Sequence, residues 1–181
     1  MRSLQSTIRA LRKHGQSLPE SYRDCYNVEP PGGARWPESL PSSSLLREFY
    51  AECDGGTLGP FSFLPLAEVA DETTSTADWM EGREPDEMSP RGRWLIFGSN
   101  EYGHSLIWDA DRDAVLLYDS DGGDLWDADD TTLSYDGSGP SPTGHLTIAR
   151  FFERLVNPSI DTEDEEMVTW VEVLVHLDQL A

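Results

Sequence analysis

The sequence is poor in positive charge. Lys13 is its only lysine, and 13 lysines and arginines together face 34 aspartates and glutamates, for a formal net charge of -21. Such a surface repels nucleic acid and anionic lipid and attracts a basic partner, so direct DNA, RNA or membrane binding is excluded as an expectation. Cysteine is nearly absent: Cys25 and Cys53 lack the close spacing of a zinc or redox motif, and reduced thiols are expected. No run approaches the roughly twenty apolar residues of a membrane span, and no apolar stretch follows the basic N-terminal residues. A soluble, cytoplasmic protein is therefore expected.

Large apolar side chains are well supplied. Six Trp, six Tyr and six Phe give the chain enough to bury despite its charge, so it should fold. At 181 residues with no internal linker, a single domain over 1–181 is expected. Its charge is uneven: the second half carries most of the acid, whereas Arg2, Arg9, Arg12 and Lys13 make the first helix basic. A solvated acidic surface and an acidic docking face both fit that distribution.

Leu4, Ile8 and Leu11 recur at helical spacing and predict a helix over 3–14, stopping at Gly15. Pro19, Pro30, Pro31, Gly32 and Gly33 within 15–36 predict an extended arm anchored by Tyr22, Tyr26 and Trp36. Ser42, Ser43 and Ser44 are alternative N-caps for a helix burying Leu45, Leu46, Phe49, Tyr50 and Cys53, with Glu48 near a capping-box position. Gly55 is expected as its left-handed C-cap. A strand over 58–64 and a single helical turn over 66–69 follow, then a polar loop over 71–91 with a helical turn near Trp79. Segments 93–98, 104–108 and 114–118 predict an antiparallel meander. The Asp-, Gly- and Ser-rich stretch 119–142 reads as loop, and Ile148, Phe151, Phe152, Leu155 and Val156 predict a helix ending near Asn157-Pro158. In the acidic C-terminal segment, Thr162 with Glu165 matches a capping box and Met167, Trp170, Val171, Leu174 and Leu177 form a helical stripe. Its valines leave helix and strand both open.

No constellation carries chemistry. Asp109, Asp111 and Asp113 imitate the start of a calcium loop, but Ala114 stands where that loop needs glycine and Ser120 where it needs glutamate. His14, His104, His145 and His176 are scattered, and His104 reads as a structural histidine beside a strand. No catalytic residue, cofactor or metal ligand is expected. The densest acidic stretch is Asp119, Asp121, Asp124, Asp127, Asp129 and Asp130, with Trp126 among them. An aromatic set among charges is the composition of an interface anchor with an electrostatic surround. The same residues also read as a solvated loop pinned to the core by Trp126.

Several of these segments occur in a telling order. A Leu40-Pro41-led helix ends at Asp54-Gly55-Gly56, a Leu64-Pro65-Leu66 step leads into a helix, the Trp94–Asp109 hairpin carries Phe97-Gly98, Tyr102-Gly103 and Trp108-Asp109, and a Phe151-Phe152-Glu153-Arg154 helix closes the set. In that order the chain resembles the SUKH superfamily, the Smi/Knr-type fold, over about residues 38–156. The resemblance implies an α+β fold, a largely antiparallel sheet packed against helices, with 1–37 an N-terminal helix and arm and 157–181 an acidic C-terminal extension. It implies that Gly55, Gly56, Gly98, Gly103, Trp94 and Asp109 are architectural. It further implies a non-catalytic immunity protein that neutralises a basic polymorphic toxin domain, such as a nuclease, by direct binding. A regulatory or scaffolding module of the same fold, binding a cellular enzyme, is the alternative. A metal-dependent hydrolase using the Asp-rich segment is the third reading.

Overall fold

A computed structural model describes residues 2–81, 92–119, 121, 125–127, 146–158 and 165–180. Helix α1 (Leu4–His14) begins at Ser3, whose hydroxyl accepts a bond from the Ser6 amide while the Ser6 hydroxyl accepts from the Ser3 amide. That reciprocal cap satisfies two amides the helix itself cannot. Leu4, Ile8 and Leu11 are buried, and the basic last turn opposes the negative end of the helix dipole.

The expected extended arm is largely something else. It forms 3-10 turns at Gly15–Ser17 and Glu20–Cys25 and then a strand, β1 (Tyr26–Val28), which pairs antiparallel with β2 (Gly56–Leu58). Gly15 lies under the Tyr26 ring, where a Cβ would come within 3.1 Å of it, and the Tyr26 hydroxyl donates to the Gly15 carbonyl. These partners are distant or conformational, so the proline and glycine content hid them.

Helix α2 (Ser44–Glu52) is capped by the Ser43 hydroxyl, which accepts from the Leu46 amide. Glu48 does not reach back; it accepts from the Gln5 side chain, tying α2 to α1. The helix ends at Cys53 in extended conformation, so Gly55 is not its C-cap. Gly55 does have a positive φ, 84°, but for another reason: a Cβ there would lie 2.5 Å from the Phe63 carbonyl oxygen. Asp54 beside it donates its amide to the Glu29 carbonyl and accepts from the Leu66 amide, so this junction joins three segments.

The expected strand over 58–64 is a hairpin, β2 and β3 (Phe61–Phe63), turning at Gly59 and Pro60. The expected turn at 66–69 is instead α3 (Leu66–Glu81), which absorbs much of the predicted loop; residues 82–91 lie outside the described residues. Its threonines and serine are weak helix formers. Tertiary bonds outweigh that: the Asp54 carboxylate accepts from the first helical amide and the Thr73 hydroxyl from the Ile96 amide.

Strands β4 (Trp94–Asn100), β5 (Ser105–Asp109) and β6 (Ala114–Tyr118) form the expected meander, and β7 (Leu125–Asp127) adds an edge within the stretch read as loop. Among the described residues seven strands run antiparallel in sequence order from β1 to β7. One sheet face carries Leu58, Phe61, Phe63, Leu95, Phe97 and Leu117 into the main core with the helices; the other buries Trp94, Ile96, Ile107 and Leu116. Helix α4 (Ile148–Val156) is capped by Thr147. The open question at the C-terminus resolves to helix α5 (Glu165–Leu180). Trp170 explains its place: the ring is wholly buried against Gly59 and its Nε1 donates to the Leu155 carbonyl. Thr162 lies outside the described residues.

One ion pair fixes the base of the meander. The Asp109 carboxylate is buried and accepts from Arg93 Nε and Nη2 at 2.9 and 2.5 Å, and from the amides of Asp111 and Arg112. Burial alone would push its pKa up, but the Arg93 bonds and charge outweigh that, leaving it below the usual carboxylate range. A lowered folded-state pKa adds stability above the unfolded pKa and loses it as pH falls through the folded one.

Two outcomes follow from these contacts. Gly55→Val should lose at least about 2 kcal/mol, since strain at positive φ adds to overlap with the β3 backbone, and an unchanged urea midpoint would contradict it. Arg93→Met should cost about 3–5 kcal/mol by stranding a buried carboxylate, more than Asp109→Asn. The gap between wild type and Asp109→Asn should narrow as pH is lowered beneath the ordinary carboxylate range; a pH-independent gap in denaturant titrations would refute the assigned role.

Candidate functional site

The calcium-like aspartates have separate tasks. Asp109 holds Arg93, Asp113 takes a φ of 48° and accepts from the Trp108 indole at 3.0 Å, and Asp111 is exposed. Among the described residues no group of three His, Cys, Asp or Glu side chains is placed to hold a metal ion. Asn100 accepts from the Tyr102 and His104 amides, which makes His104 part of a rigid hairpin tip. Neither Cys25 nor Cys53 is in a disulfide, and burial pushes the Cys53 thiol up to about 12, which keeps it protonated and unreactive.

The strand register puts two of the acidic candidates, Asp119 and Asp121, at the same end of the sheet as the β4–β5 tip. Ser105 faces Tyr118 and Tyr118 faces Leu125, so the β4–β5 tip (Glu101 to Gly103) and Asp119, which follows β6, lie at the same end of the sheet. Asp119 accepts from the Asp121 amide at 2.9 Å, closing a tight turn in which Asp121 is exposed. Trp126 and Asp127 belong to edge strand β7, opposite Leu117 and Leu116. Asp124, Asp129 and Asp130 lie outside the described residues.

Tyr102 is the residue that sequence reasoning missed here. It is 54% exposed, at the tip of a hairpin ordered by the buried Asn100 side chain and by Gly103 at a φ of 83°. A Tyr-Gly turn with asparagine two residues before the tyrosine was a legible signal for a presented aromatic. An exposed ring on a preordered turn among carboxylates can fill a partner's pocket at little entropic cost. A second feature lay hidden in the arm: a groove beside β1, at the opposite edge of the sheet, lined by Arg12 and Arg23.

Among the described residues no helix is long and apolar enough to cross a membrane. Comparison with curated proteins and with solved structures returned no match. The sequence pattern of the SMI1 / KNR4 family (SUKH-1) matches residues 5–136, from α1 through β7. Members of that family are non-catalytic proteins that act by binding, and the superfamily is associated with toxin–immunity systems. With that match covering most of its length, and an antiparallel sheet packed on helices, the chain belongs to the SMI1/KNR4 (SUKH-1) family.

Proposed function

We propose that this chain is a cytoplasmic immunity protein, one SUKH-like domain, that binds and neutralises a basic polymorphic toxin domain such as a nuclease. The observation that carries this reading is that exposed Tyr102 and the Asp119–Asp121 turn lie at the same end of the sheet in a chain with net charge -21. A nuclease must attract a polyanion, so its substrate cleft is basic. An acidic surface competes for that cleft by the same attraction, and a ring within it supplies the apolar contact that slows release. In this reading the partner-binding residues are Asp119, Asp121, Asp124, Trp126, Asp127, Asp129 and Asp130, joined by Tyr102.

The test is binding kinetics against the toxin domain encoded beside this gene, at low and high salt. Neutralising the six aspartates to Asn together should slow association about tenfold or more at low salt, with the difference shrinking as the screening length falls to about 8 Å near physiological ionic strength. Tyr102→Ala and Trp126→Ala should instead hasten dissociation, each by roughly 30-fold if it removes a 2 kcal/mol anchor. Wild-type binding and cell protection by all these variants would move the interface elsewhere on the molecule. A chain that ignores the neighbouring toxin yet copurifies stoichiometrically with a cellular enzyme would favour the regulatory or scaffolding role.

A further inference from the structure

The sheet has two edges, and β1 is the one next to α1. The Gly59 amide donates to the Cys25 carbonyl, the Asp54 amide donates to the Glu29 carbonyl, and Asn27 faces Thr57. In an antiparallel ladder the inward-bonded residues alternate, so Cys25, Asn27 and Glu29 turn their backbone groups to β2. Tyr26 and Val28 therefore turn theirs outward, and no described residue bonds to them. Such an edge is a template for another strand unless it is covered or broken.

An open groove of about 600 Å³ lies along this edge, lined by Leu11, Arg12, Arg23, Tyr26, Val28 and Pro30 among others. The described residues that line it include two arginines and no carboxylate, in a chain with 34 acidic residues. The Arg23 side chain is 59% exposed, and its ion pair with the still more exposed Glu20 spans 3.6 Å. A pair of that kind holds the guanidinium only weakly. Arg12 shares Glu52 with Arg9.

We propose that this groove receives an extended segment of a partner protein, added as a strand on β1 with carboxylates at alternate positions facing Arg12 and Arg23. The outward amides and carbonyls of Tyr26 and Val28 supply main-chain bonds, and side chains alternating with period two set the specificity. Leu11, Val28 and the Tyr26 ring give the intervening apolar side chains a floor. A second copy of this chain is the poorer occupant, because two bodies of net charge -21 repel each other. This surface is separate from the toxin-binding end, so either assignment can fail without the other.

A labelled short peptide of alternating glutamate and valine, titrated into the full chain, tests the proposal. Saturable one-to-one binding is expected. It should weaken about tenfold or more when alternate peptide amides are N-methylated, when lysine replaces glutamate in the peptide, and in Arg23→Glu protein, each step removing a bond worth a factor of ten. Val28→Pro, which deletes an outward amide, should weaken it comparably, and Arg23→Glu remains informative if that proline unfolds the chain. The lysine peptide should regain affinity for Arg23→Glu protein. Absence of saturation at millimolar peptide, or binding indifferent to N-methylation and to Arg23→Glu, would overturn the proposal. So would sedimentation showing a dimer of the chain that Val28→Pro dissolves, since the occupant would then be a second copy.

Discussion

Every phenylalanine in the chain is in one cluster, and the other elements are arranged around it. Phe49 of α2 lies 5.0 Å from Phe63 of β3 and 5.6 Å from Phe152 of α4, ring centre to ring centre. Phe151 reaches Phe61 at 5.1 Å and Phe97 of β4 at 5.8 Å. Burying each ring contributes about 1.5–3 kcal/mol and each good ring pair about 0.5–1.5 kcal/mol more. Six rings therefore contribute a gross term comparable with the whole net stability of a domain, about 5–15 kcal/mol. This cluster fixes which helix face meets the sheet, and from it follow the outward positions of the hairpin tips.

Four of the thirteen cations hold that arrangement together. Arg2 reaches Asp178 and the Leu174 carbonyl on α5, Arg9 and Arg12 hold Glu52 between α1 and α2, and Arg93 neutralises buried Asp109. Hydrogen bonding to Arg9, opposed by burial, leaves the Glu52 carboxyl below its usual range. Exposed pairs of this kind contribute little each. Their larger consequence is that Arg2, Arg9 and Arg93 face framework carboxylates rather than the outer acidic surface. The field that a basic partner would meet is thus a by-product of how the fold uses its arginines.

Much of this was legible in the sequence where a residue's fate depended on its neighbours. Strands β4 to β6 could be read because each is a run of large apolar residues bounded by polar turns, and α1, α2 and α4 because their buried positions repeat at helical spacing. What failed depended on distant partners. Three-residue strands such as β1 and β7 have no periodicity of their own and exist because Thr57 and Leu117 lie opposite them. Helix α3 runs through Thr73, Thr74, Ser75 and Thr76 against propensity because Asp54 and Ile96 bond to it. Gly55 was legible as a positive-φ position, but its cause, the close backbone of β3, was not. The acidic excess was visible as composition; that Tyr102 and Asp119 lie at the same end of the sheet required the register.

The proposed acidic surface and the β1 groove lie apart on the sheet, and their separation decides whether they can influence each other. Six strand intervals of about 4.8 Å put β1 and β7 roughly 29 Å apart along the sheet. That is more than three screening lengths at physiological ionic strength. A basic partner held at β7 would leave the potential in the Arg12 and Arg23 groove nearly unchanged, and one reaching Tyr102 on the β4–β5 tip, three to four intervals from β1, would still stand about two screening lengths away. Any coupling between them would have to pass through displacement of the sheet itself, which the phenylalanine cluster and the Asp109–Arg93 pair resist. If both surfaces bind partners, a change at one should therefore add to, rather than modulate, a change at the other.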